Sequence, residues 1–209
     1  MSLTLIIIII TVALSLMANN NSELYAKMVF NPYLVVQRKE WHRLVTHAFI
    51  HDNTNIFHLV FNMYVLYSFG NAVETFLAYH LGTKAFLFYI FIYFGGIMAS
   101  SIPSIIKHKN NVNYNSVGAS GAVSAVLFSA IAFMPLQGGI GILFLPFSLP
   151  PIVFGILYIA YEMYMNKRGG SNVAHDAHIG GAIYGFIFTL LFIPGVFTNF
   201  FSQIIHYFN

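Results

Sequence analysis

The sequence predicts an all-α, polytopic membrane protein. The expected architecture is a bundle of six transmembrane helices with a long folded first loop, in a single domain over residues 1–209. Three observations carry this. Nine residues are Lys or Arg and six are Asp or Glu, so only 7% of 209 residues are charged; an ordinary soluble domain has about 25%. Hydrophobic residues make up 58%, including 22 Phe and 13 Tyr, so a water-facing surface could not be covered. The apolar residues also run in continuous stretches, as spanning helices require, and do not alternate as barrel strands do.

Each element follows in order. The first stretch covers Ser2 to Ala18 and contains the unbroken run Ile6 to Ile10. No basic residue precedes that run, so it reads as a transmembrane helix and not as a secretory signal. The second stretch runs from Asn55 to His80, the third from Ala85 to Ile106, and the fourth from Ser116 to Pro135. The fifth follows Pro150-Pro151 and ends near Tyr164. Proline suits a first turn, where its missing N–H costs nothing. The sixth runs from Ala177 to Phe200.

The first connection, Asn19 to Asn53, holds Glu23, Lys27, Arg38, Lys39, Glu40, Arg43 and Asp52, with Trp41, Phe30 and Phe49 among them. That mixture predicts a loop folded against the bundle. The fourth connection, Leu136 to Leu149, carries no charge, and the fifth, Asn166 to Asp176, reads as flexible. Zero Cys excludes a disulfide scaffold, a thiol nucleophile and thiolate metal sites. A net charge of +3, scattered along the chain, leaves no basic footprint for nucleic acid. No cofactor is expected.

Ionisable and polar groups at bilayer depth are costly, which makes them functional candidates. Those at the starts of the even-numbered helices share one side of the membrane. His58 and Asn62 are spaced i, i+4 and share a face of the second helix. Ser120 lies in Gly118-Ala119-Ser120-Gly121 at the start of the fourth, and His178 lies near the start of the sixth. A serine hydroxyl needs a base to become a nucleophile, and an imidazole can be that base. Side-chain N–H groups of His58 and Asn62, with the backbone N–H of Ser120, can serve a developing oxyanion. Gly181 and Gly185 form a smooth face opposite Gly121, Ala122 and Ala125, so the fourth and sixth helices can approach closely.

Some residues take blander roles. His47 and His51 lack the His-Glu-x-x-His string of a metalloprotease and read as hydrogen-bonding residues of the first loop. His175 reads as a cavity rim. Asp176, two positions from His178, points off its face, so neither a metal site nor a triad is expected there.

These residues resemble the rhomboid intramembrane serine proteases over nearly the whole chain. The matching pieces are Trp41 with Arg43, His58-x3-Asn62, Glu74, Gly118-x-Ser120-Gly121 and Ala177-His178-x2-Gly181-x3-Gly185. The resemblance implies a Ser120–His178 dyad working through an acyl-enzyme, with His58, Asn62 and the Ser120 backbone at the oxyanion. It implies transmembrane helices of other proteins as substrates, within the lipid bilayer. The alternative is a catalytically silent relative that binds transmembrane segments. Where the family often carries a Tyr beneath the catalytic His, this chain has Ser124; Tyr161, Tyr164 and Phe128 are candidates to replace it.

The resemblance also implies a multi-pass protein of the cell (plasma) membrane, its site facing the outer side. The positive-inside rule points the other way. Lys27, Arg38, Lys39, Arg43, Lys107, Lys109, Lys167 and Arg168 all lie on the site's side, and only Lys84 lies opposite.

Overall fold

The computed structural model describes residues 1–52, 56–141, 147–170 and 173–208. Ten α-helices are found among them: α1 (Leu3–Asn19), α2 (Ser22–Met28), α3 (Pro32–Gln37), α4 (Arg43–Thr46), α5 (Ile56–Leu81), α6 (Ala85–His108), α7 (Ser120–Phe133), α8 (Pro151–Arg168), α9 (His175–Phe192) and α10 (Val196–Phe208). The start of the second predicted stretch, Asn55, lies outside the described residues, as do residues 142–146 of the fourth connection and 171–172 of the fifth.

α7 is the central helix. Every residue from Gly121 to Phe133 is buried, and it touches α5, α6, α8, α9 and α10. It begins four residues later than expected because Gly118 sits at φ 123°, a left-handed setting that only glycine adopts without strain. α1 is polar on the inside. Thr4, Ile7, Thr11, Ser15 and Ala18 are buried, whereas Leu5, Ile9, Ile10 and Leu16 are exposed. Its start is capped by a carboxylate from α5: the N–H groups of Leu3 and Thr4 donate to Glu74 at 3.1 and 2.7 Å. A negative group there answers the positive end of the helix dipole.

The first loop is folded, as its composition suggests. Arg43 organises it from a nearly buried position. Its guanidinium donates to Glu40 at 2.6 Å and to the carbonyls of Ala26 and Val29 at 2.7 and 2.8 Å. Trp41, by contrast, is exposed.

One expectation needs correction. The sixth stretch is not one helix to Phe200: α9 stops at Phe192 and α10 starts at Val196, at an angle of 103°. Pro194 cannot donate to the helix, and Gly195 turns the chain at φ 78°. Within the fourth connection, β1 (Ile140–Gly141) pairs antiparallel with β2 (Ser148–Leu149). By length and composition, one described helical stretch, Ile56–His108, is sufficient to cross a membrane. α9 and α10 pass that test only as a bent pair, and α1 and α7 are shorter apolar helices. The mostly helical fold therefore stands, and the count of six spans is not established by helix length.

α7 and α9 meet backbone to backbone. A Cβ built on Gly181 would strike the carbonyl oxygen of Gly121, and one on Gly185 would strike that of Ala125. We predict that Gly181→Leu destabilises the purified protein by at least about 2–3 kcal/mol, since overpacking here meets backbone and not a movable side chain. A thermal midpoint equal to wild type would contradict this contact.

Candidate active site

Ser120 opens α7, directly after the Gly118 turn. The turn is pinned from the first loop. The Gly118 N–H donates to the His47 carbonyl at 3.0 Å, and the Ala119 N–H donates to His51 Nε2 at 3.4 Å. The Ser120 N–H lies in the first turn, where no carbonyl of the same helix can accept it. A cavity of about 30 Å³ lies beside Ser120, lined by Gly118, Gly121 and the serines 100, 101 and 104 among others. That is room for about one or two waters among polar groups.

His178 is in the first turn of α9, and its side chain is 12% exposed. The carbonyl of the preceding Ala177 lies 3.5 Å from where a Gly121 Cβ would sit, so the starts of α7 and α9 adjoin. The ring is held at one nitrogen. His178 Nδ1 donates to Glu162 Oε1 at 3.0 Å. His178 Nε2 is buried and has no hydrogen-bond partner among the described residues. Ser120 and His178 are therefore close through their helices but not bonded. Catalytic bonds often tighten only with substrate in place.

Glu162 comes from α8, and its side chain is 5% exposed. Its other oxygen accepts from His175 Nδ1 at 2.6 Å. This corrects the expectation that His175 is a cavity rim: it is buried. One turn before Glu162, the Tyr158 hydroxyl bonds Ser124 Oγ at 2.8 Å. Tyr158 thus pairs with the residue that replaces the family's Tyr. Neither Tyr161 nor Tyr164 takes that role, since both are exposed, and the Tyr161 ring lies against His175. Phe128 packs on Tyr158.

His58 and Asn62 lie on α5 beside this group. The His58 ring is 3.3 Å from the Cβ position of Gly118 and edge-on to His51, with centroids 5.6 Å apart. Asn62 is buried, and its Nδ2 donates to the His58 carbonyl at 2.8 Å, which uses one of its two N–H donors.

The chain matches the Rhomboid domain family over residues 38–195. The chain belongs to the rhomboid family. It is 30% identical to RHOMBOID-like protein 12, mitochondrial, of Arabidopsis thaliana, over 68% of this chain and 43% of that protein. It is 31% identical to human Presenilin-associated rhomboid-like protein, mitochondrial, over 63% and 33%. It is 32% identical to the Bacillus subtilis Rhomboid protease GluP, over 73% and 26%. The chain thus spans between a quarter and a half of the length of these relatives. The family is membrane-embedded. The mitochondrial names among the relatives lend no support to the plasma membrane expected above.

Sequence reasoning missed Glu162. It weighed only the starts of even-numbered helices, but the end of an odd-numbered helix lies on the same side of the bundle. A lone carboxylate inside an apolar stretch was the available signal. Glu162, His175 and His178 also form a set whose donor atoms lie within 4.8 Å of one another, with a carboxylate that the sequence reading of His175 and His178, which considered Asp176, did not consider. With Glu162 ionised, its contacts to the two rings place a proton on each Nδ1; a metal held there would take the same nitrogen lone pairs in place of those protons.

His47 and His51 act as hydrogen-bonding residues of the first loop. His47 Nδ1 donates to the Arg43 carbonyl at 2.8 Å, and His51 Nδ1 bonds Ser15 Oγ at 3.2 Å. Burial pushes His47 down to about 4, against the smaller opposing effect of its Arg43 bond. Burial first, and then neighbouring His58, push His51 down to about 3. Both rings are neutral when folded, whereas an unfolded chain protonates them near 6.5. Stability from this source is complete above that pH and is lost as pH falls toward the folded values. For His47 the loss is about 3 kcal/mol at about 1.4 kcal/mol per unit. The thermal midpoint should fall between pH 6.5 and 4, and His47→Gln should flatten the decline. A midpoint constant across that window would contradict the assignment.

Proposed function

We propose that this chain is an intramembrane serine endopeptidase that cleaves transmembrane segments of other membrane proteins. In this reading α1, α5, α6, α7, α8 and α9 are the six spans. Around the buried α7, the outward faces of the other five carry Ile9, Phe61, Phe91, Ile156, Ile187 and Leu191, a surface suited to lipid.

The observation that carries the proposal is the state of His178. One ring nitrogen is anchored, and the other is buried, free and on the helix that adjoins Ser120. In the mechanism, Nε2 takes the Ser120 proton as Oγ attacks the peptide carbonyl. The tetrahedral oxyanion is met by the Ser120 N–H, at the positive end of α7, and by His58 and the remaining Asn62 N–H. His178 then returns the proton to the leaving amine as the C–N bond breaks. Water from the polar cavity beside Ser120 attacks the acyl-enzyme, and His178 again moves the proton. A substrate helix must first release its carbonyl from internal bonds, so helix-weakening residues near the cut should favour cleavage.

The test is cleavage of a panel of single-pass substrates in liposomes, with the cut located by mass spectrometry. Wild type should cleave and Ser120→Ala should lose at least about a thousandfold in rate. The double variant His58→Ala/Asn62→Ala should lose about a hundredfold. Full activity in Ser120→Ala would refute the mechanism. Binding of substrates without any cut by wild type would favour a silent, segment-binding relative.

Orientation has its own test. We place the site on the outer side, against the distribution of Lys and Arg. Position 109 is exposed, so Lys109→Cys in this otherwise Cys-free chain should react with a membrane-impermeant thiol reagent on intact cells or organelles. Labelling only after lysis would reverse the orientation.

A further inference from the structure

We propose that Glu162 is a positioning residue that extends the Ser120–His178 pair to a Ser–His–Glu triad. For its catalytic consequence this rests on the protease reading above; its structural content does not.

Valence sets the protonation of both rings. An ionised carboxylate only accepts hydrogen bonds. Glu162 receives one at each oxygen, from His178 Nδ1 at 3.0 Å and from His175 Nδ1 at 2.6 Å. Both imidazoles must therefore carry their proton on Nδ1. A neutral imidazole has one N–H, so His178 Nε2 holds a lone pair. That nitrogen is the buried atom with no partner. The carboxylate thus selects the one tautomer that can accept a proton from Ser120, and fixes the plane of the ring.

Charge works in the same direction. When Nε2 takes the serine proton, the ring becomes a cation in a poorly solvated place. Glu162 lies against it with its side chain 5% exposed, so it can stabilise that cation with little competition from water. Glu162 does not take the proton; it holds the ring while the proton moves from Oγ to Nε2 and on to the leaving amine. The carboxylate is itself held by His175, which explains why a second histidine is buried beside it. Asp176, the adjacent acid, does not hold the ring: His178 Nδ1 is taken by Glu162 and Nε2 has no partner among the described residues.

The experiment combines kinetics with a direct reading of the ring. Protein labelled with 15N-histidine is examined by NMR in nanodiscs, with His178 signals assigned by difference from His178→Phe. Wild-type His178 should be protonated on Nδ1 and bare at Nε2; the opposite tautomer in wild type overturns the proposal without any variant. Glu162→Leu, similar in shape but without an acceptor, should abolish that preference. In the cleavage assay Glu162→Leu should lower kcat at least about 100-fold with KM within about threefold, and Glu162→Asp should recover at least about tenfold of the loss. A merely structural glutamate would not give that split or that rescue. Unchanged kcat in Glu162→Leu overturns the proposal. If wild type makes no Ser120-dependent cut but the His178 tautomer follows Glu162, the positioning stands and the protease reading fails.

Discussion

The contact between α7 and α9 is the constraint on which the site depends. Gly181 and Gly185 let the backbone of α9 lie on the carbonyls of Gly121 and Ala125, with no side chain between. Any Cβ at those positions would push the helices apart. Since Ser120 and His178 each sit at the first turn of their helix, the spacing of the two backbones sets the spacing of the two functional groups. The cost of so much glycine in helices is offset by dispersion contacts that only close backbones can make.

The second feature is a carboxylate kept in the interior. Glu162 would be expensive there if it were alone. It persists because two imidazole N–H groups meet its two oxygens. The Tyr158–Ser124 bond ties the preceding turn of α8 to α7. Ser124 stands where the rhomboid resemblance often implies a tyrosine, and Tyr158 of α8 meets it there. Ser124 is small enough to leave space for Tyr158 to enter from the side.

The first loop acts on the same site from above. Arg43 gathers the carbonyls of Ala26 and Val29, which shapes the segment that carries His47 and His51. Those two histidines then take the N–H groups of Gly118 and Ala119 through a carbonyl and a ring nitrogen. The turn before Ser120 is thereby held by residues about 70 positions earlier in the chain. With those two donors occupied, the first donor of α7 left for a ligand is the Ser120 N–H.

Much of this was legible from residue order. The charge content, 7%, identifies a chain suited to a membrane because unpaired charge cannot be spared there. The spacing of His58, Asn62, Ser120, His178 and the glycines identifies the family because helical periodicity turns spacing into shared faces. The break after Phe192 had a local signal too, in Pro194 and Gly195. Two things were decided only in three dimensions. The partner of Ser124 is Tyr158, 34 residues away. Glu162 reaches His178 across 16 residues and a loop. Sequence alone settles periodicity and composition, which are local. Which buried acid meets which buried base depends on the rotation of α8 about its own axis against α9, and only the packed bundle fixes that angle.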